Sequence, residues 1–170
     1  MELKWFEFVI SALIFQRCIE MMISRRNEKV LRSQGAIEFG AAHFKVLILL
    51  HVFFFLSLFL EAYLRGLNLP SPSVVFLIVL LLIFSQAIRA WTMLTLKHRW
   101  VTRILVVPGS LPIQSGPYAY LKHPNYAIVA VELFCIPILF GLSVTAIVFT
   151  VLNAWILLMV RIPVENRALR

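Results

Sequence analysis

The sequence predicts an all-α integral membrane protein with five transmembrane helices, the last two forming a helical hairpin, the N-terminus outside and the C-terminus cytoplasmic. Three observations predict it. Hydrophobic residues make up 61% of the 170, with a mean hydropathy of +0.91, more than a soluble fold of this size can bury. The apolar residues fall in runs long enough to cross a bilayer. The basic residues gather on alternate connections between those runs.

The first run, 5–23, carries Glu7, Gln16, Arg17 and Glu20, and is too long and too poorly bounded for a cleaved signal peptide, so it reads as a span. The second, 46–64, ends at Arg65-Gly66 and the Pro70-Ser71-Pro72 turn, and the third covers 74–96. From Pro124 to Val160 there is no Lys or Arg, and Glu132 is the sole charge. As one helix that region would be roughly 55 Å long against a hydrocarbon core of about 30 Å. It must fold back, with Pro137, Gly141 and Ser143 marking the turn between spans 124–140 and 143–160. The whole of 1–170 then forms one membrane-embedded domain.

Arg25, Arg26, Lys29, Arg32 and Lys45 lie between the first two spans, Lys97, Arg99, Arg103 and Lys122 follow the third, and Arg161, Arg167 and Arg170 end the chain. These positions are expected on the cytoplasmic side. The net charge of +8 is explained by orientation and anionic headgroups, because the bases are spread along helix ends and build no nucleic-acid reading motif. Cys18 and Cys135 lie in different spans without C-x-x-C spacing, so neither a disulfide framework nor a zinc site is expected. His43 and His51, eight residues apart, can share a helix face but lack further metal ligands nearby, and read as interfacial or packed histidines. Nucleotide and hydrolase signatures such as Walker A and G-x-S-x-G are absent.

Gly116-Pro117-Tyr118-Ala119-Tyr120-Leu121-Lys122-His123-Pro124-Asn125-Tyr126 carries the most chemical information. Its turn residues run into the fourth span, so His123 is placed where water meets lipid. Pro124 can open a helix without wasting an N–H, and Tyr118, Tyr120 and Tyr126 supply rings at the boundary, either as a site or as interfacial anchors. Ionisable groups inside the apolar runs cost a few kcal/mol each unless paired or hydrated. Arg17 and Glu20, spaced i,i+3, suggest an internal ion pair. Arg89 suits snorkelling or anion binding, and Glu132 suits an interhelical hydrogen bond, with Asn153 as candidate partner, or a cofactor or substrate contact.

The Gly-Pro-Tyr…Lys122-His123-Pro124-Asn125-Tyr126 segment, a hairpin, and then Arg161-Ile162-x-x-Glu165 together resemble the isoprenylcysteine carboxyl methyltransferase family and its short bacterial branch. The likeness extends through Arg25-Arg26-Asn27-Glu28, Arg89, Trp100, Thr102, Arg103 and Pro108-Gly109. Where many members have two adjacent glutamates, this chain has Glu165-Asn166. The resemblance implies S-adenosylmethionine bound at the cytoplasmic face within 98–170, by Tyr118, Tyr120, Lys122, His123, Pro124, Asn125, Tyr126 and Glu165. It implies methyl transfer to a carboxylate or enolate oxygen of a lipophilic acceptor entering from the bilayer. Arg89, Arg103 or Arg161 would orient the oxyanion, with Arg17, Glu132 and Trp100 as candidate acceptor contacts.

Three other classes stay open on sequence. A reductase sharing the His-Pro-x-Tyr segment would bind NADPH, a lipid N-methyltransferase would take an amine, and a transporter or structural protein would use the buried charges as a path or as packing. The gathering of candidate residues at one face, without an inverted repeat, weighs against the last.

Overall fold

The computed structural model describes residues 2–169. Helix α1 spans Glu2–Ser33, α2 Ala41–Arg65, α3 Pro72–Leu96, α4 Pro124–Leu139, α5 Ser143–Ile156 and α6 Ile162–Ala168. A π-helical turn, Leu157–Arg161, joins α5 to α6, so the helical path runs from Ser143 to Ala168. Three helical segments are long and apolar enough to cross a membrane, 41–65, 72–99 and 143–168, and α4 is a shorter apolar helix. The all-α architecture agrees with expectation, with three differences. The expected spans 5–23 and 124–140 fall in α1 and α4, and neither helix is among the three segments long and apolar enough to cross. Helix α1 continues ten residues past Ile23, and Ile37–Phe39 (β1) pairs antiparallel with Ile104–Val106 (β2).

The α4–α5 turn falls at the expected residues. Pro137 cannot donate to the helix ladder, and α4 stops two residues later. Gly141, at φ +77°, donates to the Ile138 carbonyl at 3.0 Å, and Leu142 N–H donates to Pro137 at 2.9 Å. A side chain at Gly141 would meet the Asn68 carbonyl oxygen at 2.2 Å, so the α2–α3 connection can pack on this turn only over glycine. Glu61 completes the turn: its carboxylate accepts from Val144 N–H at 3.1 Å and Thr145 N–H at 2.7 Å, capping α5 from the neighbouring helix.

The apolar core is built from Phe6 and Ile10 of α1, Leu50, Phe54 and Leu58 of α2, Leu133 and Ile136 of α4, and Phe149 and Ile156 of α5. Edge-to-face ring pairs hold it, Phe6 on Phe140 at 5.1 Å and Phe54 on Phe149 at 5.6 Å. The outward faces remain apolar: Phe53, Leu56, Phe76, Leu80, Phe84, Val151 and Trp155 are all exposed. Apolar surface on this scale needs a nonaqueous neighbour, and the long helices supply the matching length.

The two connections that carry the basic residues are tied together. Asn27 donates to the Trp100 carbonyl at 2.8 Å, Ser24 Oγ accepts from Thr102 N–H at 3.0 Å, and Arg103 pairs with Glu28 at 3.3 Å and Glu38 at 2.5 Å. The β1–β2 ribbon is thus pinned to α1 at the same end of the bundle as the start of α4.

Candidate functional site: a charged aromatic mouth on an apolar cavity

A cavity of about 950 Å³ opens where the ribbon, α2, α4 and the α5–α6 path meet. Gly116, at φ +61°, begins the short 3₁₀ turn Gly116–Ala119 that leads into α4. A Cβ there would lie 2.3 Å from Thr95 Oγ1, so glycine lets this loop press directly onto α3. The turn delivers Tyr118 and His123 to the mouth.

The two halves of the motif, far apart in sequence, meet there. His123 Nδ1 lies 3.6 Å from Glu165 Oε2, and the His123 ring stacks on Tyr126 with centroids 5.2 Å apart and planes 12° apart. The Tyr126 hydroxyl donates to Glu165 and accepts from Arg161 Nε at 3.0 Å. Arg161 also donates to the Thr102 carbonyl at 2.6 Å and approaches His43 Nε2 at 3.5 Å. Its placement depends on the π-helical turn that ends at Arg161. Pro163 has no N–H for an ordinary i→i−4 bond, and such wide turns recur at functional sites. Burial, reinforced by the charge of Glu165, raises the Tyr118 hydroxyl to about 12, so it stays a neutral donor at physiological pH.

Arg89, Arg103, Arg161, Trp100, Tyr118, Lys122, His123, Asn125, Tyr126, Glu165 and Arg17 all line the cavity. Tyr120 does not: it is 81% exposed and leans on Trp91 at 6.4 Å. Pro124 is buried at the start of α4, where it opens the helix. Asn125 Oδ1 is buried without a protein partner.

The buried charges form a second assembly at the inner end. Arg17 pairs with Glu20 at 2.6 Å and with Glu132, while Arg89 pairs with Glu132 at 2.5 Å and Glu20 at 3.2 Å. Gln86 donates to Glu132 at 2.6 Å, and Gln16 donates to Glu20 at 2.8 Å and to Gln86 at 2.9 Å. Two arginines and two glutamates cancel in charge, so α1, α3 and α4 are cross-linked at little electrostatic cost to the apolar surroundings. The expected Arg17–Glu20 pair is present. Asn153 is not the partner of Glu132: its Nδ2 is buried without a partner, because arginines from two other helices reach the carboxylate.

Sequence reasoning did not identify the α2 wall, which contributes Phe44, Leu47, Ile48, His51, Val52 and Phe55 to the cavity. The spacing i, i+3, i+4, i+7, i+8, i+11 marks one helix face, yet an apolar run hides it because neighbouring positions are apolar too. Among the described residues no cluster of three or more His, Cys, Asp or Glu could hold a metal.

A membrane-type helical bundle with a largely apolar cavity and a charged, aromatic mouth at one end is the class that fold and site define. The sequence profile of the isoprenylcysteine carboxyl methyltransferase (ICMT) family matches residues 77–170, which include both motif halves. The chain is 43% identical over 166 residues to Uncharacterized protein YpbQ of Bacillus subtilis (strain 168), covering 97% of this chain and 96% of that one. It is 34% identical over 127 residues to an uncharacterized protein of Haemophilus influenzae (strain ATCC 51907 / DSM 11121 / KW20 / Rd), covering 75% and 70%. No solved structure matches. The chain belongs to the ICMT family.

Proposed function

We propose that the protein is an S-adenosylmethionine-dependent O-methyltransferase acting at the cytoplasmic membrane face on a lipophilic acceptor. The observation that carries this reading is the meeting of His123, Tyr126, Arg161 and Glu165 at the mouth of a cavity whose α2 wall is apolar. Five helices would cross the bilayer. Within α1, Arg17 and Glu20 are compatible with crossing because they are paired inside the bundle, and the basic connections would face the cytoplasm.

The residues present fit the cofactor. Its ammonium needs a carboxylate, which Glu165 offers, and its carboxylate needs donors, which His123 and the opening turn of α4 offer. Tyr118 and Tyr126 give ring faces for adenine or sulfonium, and Asn125 Oδ1 is an unused acceptor beside them. The volume lies near the top of the range of about 300–1,000 Å³ for small-molecule sites, leaving room for an acceptor headgroup. When bound, S-adenosylmethionine supplies an electrophilic methyl group on a sulfonium.

The three candidate arginines differ in what they already hold. Arg89 is matched by Glu20 and Glu132, and Arg103 by Glu28 and Glu38. Arg161 donates to a hydroxyl and a carbonyl, both neutral, so its charge is the one best placed to orient an oxyanion. Arg89 then acts through the internal cluster. The test is incubation of membranes with methyl-labelled S-adenosylmethionine and a panel of lipid acids, enols and amines. Label in an ester or enol ether supports the reading. Label solely in an amine, or no transfer to any acceptor, contradicts it.

A further inference from the structure

We infer that His43 is a positioning residue for the transfer: its neutral imidazole aims the Arg161 guanidinium at the acceptor oxygen without cancelling its charge. The inference rests on the methyltransferase reading above. His43 sits half-buried in the first turn of α2, and Gly40, which joins β1 to that helix, makes its seat. A Cβ on residue 40 would lie 1.8 Å from His43 Cε1, 2.5 Å from Nδ1 and 2.6 Å from Nε2. That edge of the ring therefore rests on bare backbone, which restricts how the ring can turn.

Arg161 is 5% exposed, and a buried guanidinium, which keeps its proton, needs acceptors for its N–H groups. Its Nε donates to the Tyr126 hydroxyl at 3.0 Å, one Nη donates to the Thr102 carbonyl at 2.6 Å, and the other Nη lies 3.5 Å from His43 Nε2. Because Arg161 only donates, the Nε2 that faces it carries the lone pair and Nδ1 the hydrogen, which makes the imidazole neutral. Thr102 lies just before β2 and His43 just after β1, and Phe39 pairs with Ile104. The same end of the ribbon thus grips Arg161 from both strands.

All of these partners are uncharged, and among the described residues no carboxylate forms an ion pair with Arg161. Glu165 is taken by Tyr126 and His123, Glu28 by Arg103, and Glu38 by Arg103 and Arg32. A carboxylate in the place of His43 would hold the guanidinium more tightly, yet it would consume the charge that an oxyanion needs. A neutral acceptor fixes the direction of the fork and leaves the whole positive charge for the ligand. His43 does not itself line the cavity, so it acts through Arg161.

The test uses detergent-purified protein with methyl-labelled S-adenosylmethionine, and hexadecanoate and hexadecane-2,4-dione as acceptor probes. His43→Gln and His43→Glu have the same shape and both offer Oε1 to Arg161, but only the second brings a charge. His43→Gln should keep kcat within about threefold of the parent protein, and His43→Leu, which removes the acceptor, should lower it about 10-fold. His43→Glu should lower it about 100-fold, comparable with losing a donor to an oxyanion. Calorimetric affinity for S-adenosylmethionine should match the parent protein in all three, since the cofactor is assigned to other residues. Equal kcat in His43→Gln and His43→Glu, as a packing role would give, or parent kcat in His43→Leu, would overturn the assignment. Cofactor affinity that falls in step with kcat would overturn it too. Parent protein that binds no S-adenosylmethionine, or methylates neither probe, would instead remove the underlying methyltransferase reading.

Discussion

At the scale of single residues, the Tyr126 hydroxyl joins the two motif halves, accepting from Arg161 and donating to Glu165. Tyr126→Phe keeps the ring stacked on His123 but removes both bonds. Hydrogen bonds to charged groups are worth about 1.5–3 kcal/mol, so S-adenosylmethionine affinity should drop on the order of 10- to 100-fold in calorimetry, with the protein still inserted. Glu132 behaves differently because it serves the bundle. Its side chain is 3% exposed and holds two arginines, so Glu132→Ala leaves Arg89 without one of its two carboxylates in an apolar interior. A loss on the order of 3–5 kcal/mol is expected, read as a lowered melting temperature in detergent with or without cofactor. An unchanged melting temperature would mean that the carboxylate belongs to the ligand site.

At the scale of elements, the β1–β2 ribbon is a strap over the cavity held by Glu38 between Arg32 and Arg103. Burial alone would raise the Glu38 carboxyl, but its bonds to the two guanidinium groups outweigh that and hold it below its ordinary value of 4.5. A carboxylate depressed in the folded state stabilises above the unfolded value and loses that contribution as pH falls through the folded one. Amide protection factors in 37–39 and 104–106, taken against the unstructured chain at the same pH, should therefore fall below about pH 4.5 in the parent protein. In Glu38→Gln they should already be low at neutral pH. Neither strand was legible in the sequence, since three residues are too short for an alternation to register. The α4–α5 hairpin was legible, because 37 residues without Lys or Arg exceed any single crossing and Pro137 and Gly141 punctuate them. The continuation of α1 to Ser33 was hidden because apolarity ends at Ile23 while Arg25, Arg26, Glu28 and Lys29 keep good helix propensity.

At the scale of the whole molecule, what the sequence hid is pairing between distant segments. Arg17, Arg89 and Glu132 each stood out as charges in apolar runs, but no local spacing could join residues 17, 89 and 132 of three helices. Motif recognition did bring together His123 with Glu165, and Asn27-Glu28 with Trp100 and Arg103, as parts of one end of the bundle. The five-crossing arrangement predicts that cysteines placed in the 66–71 connection react with an impermeant maleimide from outside in intact cells. Cysteines at 107–115 should react only after permeabilisation. Reaction of both sets from the same side would require one fewer crossing or one more.

The central claim is that the cytoplasmic ends of α4 and the α5–α6 path enclose a sulfonium cofactor, and isothermal calorimetry with S-adenosylmethionine on purified protein in detergent tests it most directly. The parent protein should bind with one site per chain, and His123→Ala and Glu165→Ala should each weaken binding at least about 10-fold while preserving the melting temperature of the ligand-free protein. Undiminished affinity in both variants, or no binding by the parent protein, would contradict the account.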